Sequence, residues 1–516
     1  MRFSRRKFLQ AATVAGAGCA AGFLGLKAAL GWGEITDSTV QGSLPANGFK
    51  ILEVFLYGGV SPWETFYVRS GITDSFFGMG TQVSGLDWAN ACMGTPVPSN
   101  QINAFGDDGL GAVAWGPSTK PLWRTDIFDR ARMVVLQHNL EPHEAAIPYA
   151  LTGHVLGRPN FSGLGSAVNH RFANSSHPLP YSYVFMPDDN AAVNDNFQGM
   201  TATGTHGGEH RPLMLMMGPT IGTLATQLAR NGMSANADSA LRFYRASYAD
   251  KLRRNGNVSR SKGFSAYDSG LENLLRAPDL ATLVGGAIQP PANTTSCTSF
   301  LPNAPSSALD RTRASIRAAA ALLAQPETSG GARYVGIVDG GLLQAGGAGY
   351  DTHSLNDHSV VTATNVFNLC SVLADVIDPA ATPAAGKISL NDTLVVLKTE
   401  FGRTPQPVGS GDSAGRDHWP HGYVNILIGG PIPTSTTRQI AGAIGVNGVE
   451  RGFALPSTST DFGHFTPSEF QAALMLAAGI YPFQAENFGV GDMSVATQGS
   501  TEATTAAQIR ARVLGV

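Results

Sequence analysis

Short apolar runs that end in polar or glycine-rich segments recur along the whole chain. Five of them, rich in Val, Ile and Leu, cover residues 51–57, 132–137, 333–338, 393–397 and 424–428. Runs of this length are typical of β-strands that are buried on both faces. Longer segments with helical spacing lie between them, and strands that alternate with helices predict an α/β fold. We therefore expect a mainly parallel central sheet flanked by helices.

The helical segments bear on the domain organisation. Leu309 to Ala324 and Val360 to Ile377 have helical spacing, and Thr466-Pro467-Ser468-Glu469 is a capping box with proline at the first helical position. Residues 171–330 are mostly helical in pattern, which predicts an inserted region. At 516 residues the chain is long enough for one large core with insertions or for two domains. We expect residues 45–516 to form a single α/β domain that carries this insertion.

Side chains that bind metals or catalyse reactions cluster next to the predicted strands. In chain order they are Asp351, His353, Glu400, Arg403, Asp417, His418 and, before a predicted helix, His464. In open α/β sheets, ligands bind beyond the carboxyl ends of the strands. Asp351 and His353 are two residues apart, so in an extended chain both lie on one side and can reach one ion. As an alternative, Glu400 and Arg403 can pair with each other as a structural salt bridge.

The combination of imidazole and carboxylate indicates a transition metal. Neutral histidine with ionised carboxylate suits zinc, manganese, iron or nickel, whereas oxygen-only sites favour magnesium or calcium. Such an ion polarises a phosphoryl or sulfuryl oxygen, or lowers the pKa of a water molecule. Arg403 can bind an oxyanion through two of its nitrogen atoms. The expected cofactor is a divalent metal, with zinc, manganese and calcium as candidates.

The N-terminus has the pattern of an export signal. Ser4-Arg5-Arg6-Lys7-Phe8-Leu9 precedes a moderately apolar run from Ala11 to Leu30, as in signals of the twin-arginine route. We expect cleavage after Gly31, with an uncleaved anchor as the alternative. The mature protein is then expected in the periplasm or secreted, with the twin-arginine translocase as its partner during export.

Charge and cysteine content narrow the function classes. Loss of residues 1–31 removes five basic and no acidic residues, which takes the formal charge from −3 to −8. Such an acidic protein is a poor candidate for general binding to nucleic acids or anionic membranes. After residue 32 no segment is long and apolar enough to span a bilayer. Cys92, Cys297 and Cys370 remain, an odd and widely spaced set that does not form a disulfide framework.

These motifs together resemble a large bacterial family of twin-arginine-exported proteins of unknown function, placed in the alkaline phosphatase/sulfatase superfamily. The matching segments span nearly the whole chain in family order. They are residues 5–9, Leu56-Tyr57-Gly58-Gly59, His143 before Tyr149-Ala150-Leu151-Thr152-Gly153, Tyr350-Asp351-Thr352-His353, Thr399-Glu400-Phe401-Gly402-Arg403-Thr404-Pro405, Gly415-Arg416-Asp417-His418 and residues 464–479. The resemblance implies an alkaline-phosphatase-like fold with a two-metal site at the strand ends. It implies Asp351, His353 and His464 as ligands of one metal, and Asp417 and His418 as ligands of the second.

The sequence departs from the family pattern at one position. The family usually has Asp two residues after the paired glycines of the first strand, where this chain has Ser61. Three alternatives stay open: Ser61 is a nucleophile, Glu64 replaces the carboxylate, or the second metal is lost. The chain also lacks a nucleophile motif of the alkaline phosphatase kind and the sulfatase pattern Cys/Ser-x-Pro-x-Arg.

The expected function is that of an exported, metal-dependent hydrolase of phosphate or sulfate esters. Its substrate is expected to be a small-molecule or polymer ester, and the catalytic candidates are Ser61, Glu400 and Arg403. The alternative is a non-catalytic secreted binding or surface protein that retains the alkaline-phosphatase-like fold. Ser61 in place of Asp, together with the missing nucleophile motif, favours this alternative.

Overall fold

The structure is a computed structural model in which part of the chain is described. The described residues are 37–45, 48–69, 72, 102–155, 163–173, 181–187, 212–215, 235–254, 277–288, 308–326, 331–341, 349–353, 358–406, 415–435, 440–446, 448–456, 463–483, 487–496 and 499–516. The expected export signal, residues 1–31, lies outside them. Residues Met1–Ser43 form one compact unit and Leu44–Val516 another.

Strands and helices alternate along the described residues, as expected for an α/β fold. The strands are β1 (Lys50–Leu56), β2 (Val68–Arg69), β3 (Asn103–Asp107), β4 (Ala112–Trp115), β5 (Ala131–Leu136), β6 (Tyr181–Met186), β7 (Leu213–Met214), β8 (Ala332–Asp339), β9 (Thr393–Lys398), β10 (Gly402–Arg403), β11 (His418–Trp419), β12 (Tyr423–Gly429) and β13 (Ile440–Ala441). The α-helices are α1 (Ser38–Ser43, in the first unit), α2 (Thr125–Phe128), α3 (His143–Thr152), α4 (Leu164–Ala173), α5 (Ala235–Arg254), α6 (Ala277–Ile288), α7 (Ala308–Ala324), α8 (His358–Val376), α9 (Pro467–Ala477) and α10 (Glu502–Ile509). None of these helices is long and apolar enough to cross a lipid bilayer.

Eight strands form the central sheet, in the order β13-β5-β12-β9-β1-β8-β6-β7. The run from β9 through β1, β8 and β6 to β7 is parallel, and β13 is parallel to β5. Strand β12 is antiparallel to both of its neighbours, β5 and β9. The expectation of a mainly parallel sheet is therefore wrong. Strand β12 lies between β5 and β9 and runs opposite to both of them, which makes the sheet mixed.

Helices cover both faces of the sheet. On one face, Leu52 and Val54 of β1 belong to the hydrophobic core cluster that includes buried residues of α7 and α8. On the other face, Lys398 contacts Glu53 at 3.3 Å and donates to the side-chain oxygen of Gln471 in α9 at 3.0 Å. Successive side chains of a strand point to opposite faces, so the two sets of contacts lie on opposite sides of the sheet.

The strands and the late helix predicted from the sequence are present with bounds shifted by one or two residues. Helix α9 begins at Pro467 with the expected capping box, in which Thr466 accepts from the backbone of Glu469 and the Glu469 carboxylate accepts from the backbone of Thr466. The predicted insertion, residues 171–330, contains α5, α6 and α7. It also contains β6 and β7, which extend the central sheet beyond β8.

The carboxyl ends of four strands meet at one edge of the sheet. Strand β1 is parallel to β8 and β9, and β5 has the same direction as β9 because β12 is antiparallel to both. The chain leaves β9 at this edge, forms the antiparallel ribbon of β10 and β11, and re-enters the sheet through β12. Residues 399–422 therefore connect two strand ends at the same edge, where the candidate site lies.

Candidate metal centre

Four side chains from three segments converge at this edge. His143 is the first residue of α3, Asp351 and His353 follow β8, and His418 lies in β11. One potential ligand atom from each of these residues lies within 4.8 Å of those of the others. His143 Nε2 is 3.1 Å from His418 Nε2 and 3.4 Å from Asp351 Oδ2. This set of four residues is called the ligand cluster below.

The buried carboxylate of Glu400 fixes the orientation of His143. Glu400 Oε1 is 2.9 Å from His143 Nδ1 and accepts a hydrogen bond from Gly58 N at 2.8 Å. Glu400 is fully buried and stands directly after β9, whereas Gly58 follows β1. A carboxylate that accepts from one ring nitrogen of a histidine directs the other nitrogen towards a metal. Here that other nitrogen, Nε2, faces Asp351 and His418.

The buried guanidinium of Arg403 fixes Asp351. Arg403 Nη2 is 2.7 Å from Asp351 Oδ1 and also donates to the carbonyl of Gly58. Its Nε donates to the carbonyl of Gly59 at 3.2 Å, and its Nη1 to that of Arg416 at 3.0 Å. All three guanidinium nitrogens are therefore engaged within the protein. The sequence left open a pair between Glu400 and Arg403, but the two side chains bind His143 and Asp351 respectively.

Paired glycines make this packing around Arg403 feasible. Gly58 and Gly59 have positive φ angles of 110° and 84°. A Cβ atom at Gly59 would lie 2.7 Å from the ring of Phe401, which is closer than real Cβ contacts. Glycine at both positions therefore lets the chain after β1 turn its carbonyl groups onto the guanidinium.

His353 and Asp417 form the more exposed side of the site. His353 Nδ1 contacts Asp351 Oδ1, and its Nε2 is 3.4 Å from Asp417 Oδ1. The side chain of Asp417 is 56% exposed and that of His353 is 37% exposed, against 11% for His143. Asp417 is outside the ligand cluster. Its carboxylate contacts one ring nitrogen of His353, as the carboxylate of Glu400 contacts one ring nitrogen of His143.

Burial and charge give the histidines of the site different proton affinities. Burial lowers the pKa of His143, but hydrogen bonds to Asp351 and Glu400 outweigh this effect and raise the pKa to about 9. Burial, with the positive charge of Arg403 next to it, lowers the pKa of His418 to about 3. Burial raises the pKa of Asp351, yet hydrogen bonds from His143 and His353 and the charge of Arg403 hold it well below its usual value. In the metal-free site, His143 therefore carries a proton on Nε2, next to the other atoms that can bind an ion.

His138, the other histidine after β5, has a supporting role. Its Nδ1 accepts from the backbone of Leu140 at 3.1 Å, so its Nε2 carries the proton that is donated to the carbonyl of Glu400 at 2.6 Å. Burial lowers the pKa of His138 to about 4. The neutral ring thus fixes the backbone of Glu400 to the end of β5.

Ser61 and Glu64 lie in a separate buried group with Arg416. The Ser61 hydroxyl donates to Glu64 Oε2 at 2.8 Å, and Arg416 Nη1 donates to the Ser61 oxygen at 2.9 Å. Arg416 Nη1 is also 3.2 Å from Glu64 Oε2. Ser61 is 1% exposed and Arg416 is fully buried. This group connects the segment after β1 to Arg416, which is two residues before His418.

The structure brings together part of the ligand set expected from the sequence. Asp351, His353 and His418 are in the ligand cluster, and His143 joins them. His464 is half-buried before α9, where its Nδ1 is 3.1 Å from the carbonyl oxygen of Leu455. The signal for His143 was its place in a polar segment directly after a predicted strand.

The ligand cluster fits one divalent transition metal. Tetrahedral zinc with ligand distances of about 2.1 Å has ligand atoms about 3.4 Å apart. The separations of 3.1 and 3.4 Å from His143 Nε2 are close to this spacing. Three imidazoles and one carboxylate are also the donors that zinc, manganese or iron accept, and fewer oxygens are present than calcium requires.

The family assignment rests on most of the chain. A family model described as a protein of unknown function, DUF1501, matches residues 51–464, and the chain belongs to this family. No curated protein and no solved structure matches the chain.

Gly415 tests how closely the segment before β11 packs against the segment that contains Thr352 and His353. A Cβ atom there would lie 1.9 Å from the carbonyl oxygen of His353 and 2.4 Å from that of Thr352. We predict that Gly415→Ala displaces His353, lowers stability by about 1–3 kcal/mol and weakens metal binding. Gly491→Ala is the control, because no atom lies within 4 Å of a Cβ there. Urea denaturation and metal content measure both effects, and equal values for the two variants would contradict the packing described.

The raised pKa of His143 predicts that metal affinity depends on pH. Below about 9 the metal-free site holds a proton on His143, which the ion must displace. The association constant should therefore rise by about tenfold per pH unit from pH 7 to 9 and level off above. Calorimetry with chelator-buffered metal, in two buffers of different ionisation enthalpy, should show release of about one proton per ion at pH 7.5. An affinity that is constant over this range would refute the assignment.

Proposed function

We propose that this DUF1501 protein binds a divalent transition metal through His143, Asp351, His353 and His418 and uses it to hydrolyse phosphate or sulfate esters. The observation that carries the metal site is the convergence of four ligand atoms within 4.8 Å, two of whose residues are fixed by buried charged partners. The order of the motifs along the chain supports the ester class and an alkaline-phosphatase-like arrangement of the fold.

The roles of the surrounding residues follow from their contacts. The ion would supply a Lewis acid for an ester oxygen and would lower the pKa of a water molecule. Glu400 and Arg403 orient His143 and Asp351 from inside the protein, so we assign them positioning roles. The exposed side, formed by His353 and Asp417, is where an ester can approach. We propose water as the nucleophile, because the Ser61 hydroxyl is buried and hydrogen-bonded on both sides.

A matched pair of variants distinguishes this ligand set from the one that the resemblance implies. We predict that His143→Gln reduces bound metal to a small fraction of the wild-type amount, while His464→Gln retains it. Glutamine can still donate to Glu400, so a buried carboxylate is not left unpaired. Elemental analysis after reconstitution with zinc or manganese measures the result. Loss of metal in the His464 variant with retention in the His143 variant would overturn the assignment.

The alternative function, a non-catalytic secreted binding or surface protein, is favoured by the closed group of Ser61, Glu64 and Arg416. Both functions permit a bound metal, so turnover must decide between them. We predict that metal-loaded protein hydrolyses at least one aryl phosphate or sulfate ester, and that chelation abolishes the activity. A broad ester panel without turnover, in protein shown to contain metal, would support the alternative instead.

A further inference from the structure

The two arginines that the structure describes next to the ligand cluster are directed into the protein. Arg403 and Arg416 are both fully buried. Arg403 donates from all three nitrogens to Asp351 and to backbone carbonyls, and Arg416 contacts Ser61 and Glu64. Binding of a doubly charged oxyanion normally uses a guanidinium or ammonium group that faces the ligand. Both guanidinium groups here are committed to internal partners.

The exposed charged residues that the structure describes next to the ligands in the chain are acidic. Among the described residues within two positions of a ligand along the chain, they are Glu141, Glu144 and Asp417. An anionic substrate that reaches the ion on the side of His353 therefore passes the exposed carboxylate of Asp417, which is 3.4 Å from His353 Nε2.

The charges of the site balance once an ion is bound. With neutral imidazoles, the carboxylates of Asp351, Glu400 and Asp417 carry three negative charges, which equal the charge of a divalent ion and Arg403 together. Glu64 and Arg416 cancel each other. Among the described residues of the site, no positive charge then remains to neutralise a negative charge on the reacting group. Such a charge also lies near the exposed Asp417.

We propose that the site is selective for esters whose reacting group carries one negative charge, sulfate monoesters and phosphate diesters, over doubly charged phosphate monoesters. This inference rests on the proposed hydrolase function. In the reaction, the oxygen of water forms a bond to phosphorus or sulfur, and the bond to the leaving oxygen breaks. One proton of the water goes to the leaving alcohol and the other is released by the acid product, so no oxidant or reductant is needed.

The first test compares turnover in metal-loaded protein. Bis(4-nitrophenyl) phosphate and 4-nitrophenyl sulfate carry one charge at pH 8, and 4-nitrophenyl phosphate carries two. We expect a higher kcat/KM for the diester than for the phosphate monoester, by about tenfold or more, the effect of one unit charge a few ångströms from a carboxylate. A preference for the phosphate monoester would overturn the inference. No turnover of any of the three counts against the hydrolase function and leaves the binding test below to decide the charge preference.

The second test measures binding without turnover. Phenylphosphonate, doubly charged at pH 8.5, and its singly charged methyl ester are titrated into metal-loaded wild type and Asp417→Asn. Removal of the exposed charge should strengthen binding of phenylphosphonate about tenfold more than binding of its ester. Glu450→Gln, an exposed carboxylate outside the site, should leave the ratio of the two affinities unchanged.

A second variant protects this test against loss of metal in Asp417→Asn. Glu141→Gln removes an exposed charge without changing β10 or β11, and should shift the affinity ratio in the same direction by a smaller factor. Bound metal is measured in each sample before titration. An affinity ratio that is the same in wild type and both variants would refute the proposed charge selectivity.

Discussion

A single buried carboxylate, that of Glu400, joins the parts of the sheet that form the site. It accepts from the backbone after β1 and from His143 in α3, while its own carbonyl accepts from His138 after β5. Burial of an ionised carboxylate costs several kcal/mol unless hydrogen bonds and opposite charge compensate it. The partners of Glu400 supply that compensation, and in doing so they determine where His143 stands.

Two other buried charges of the site, those of Arg403 and Arg416, are likewise compensated by partners inside the protein. Arg403 is buried against Asp351 and three carbonyl groups, and Arg416 is buried against Glu64 and Ser61. Each buried charge thus fixes a loop that carries a ligand or adjoins one. In the metal-free protein the proton of His143 supplies positive charge between Asp351 and Glu400, and an ion supplies it when bound. Metal binding is therefore electrostatically coupled to the hydrogen-bond network of the site.

The fold follows from the sequence to the extent that local patterns determine it. Apolar runs of five to seven residues became the buried strands, and the capping box at Thr466 begins α9 as expected. The direction of β12 was not expected, although the sequence of residues 399–422 has no helical pattern. Parallel neighbours need a long crossover, usually a helix, whereas antiparallel strands do not. That missing helix was the signal for the mixed sheet.

The site was predictable where its residues are adjacent in sequence and not where they meet only in space. Asp351 and His353 stand in one short motif, and His418 follows Asp417 in another, so the sequence singled out both motifs. Which of these side chains meet is decided by the register of β10 and β11 and by the position of α3. His143 belongs to the cluster because α3 begins beside Glu400, a contact between residues 257 positions apart. The partners of Arg403 and Arg416 are likewise distant in sequence.

The coordination of a bound ion is the most direct test of the proposed metal centre. Metal-reconstituted protein can be crystallised and the ion located by anomalous scattering, with X-ray absorption giving the number of nitrogen and oxygen neighbours. We expect one ion bound by three imidazole nitrogens and one carboxylate oxygen at about 2.0–2.2 Å, from His143, His353, His418 and Asp351. An ion bound by Asp417 or His464 in place of His143, or no ion at this edge of the sheet, would contradict it.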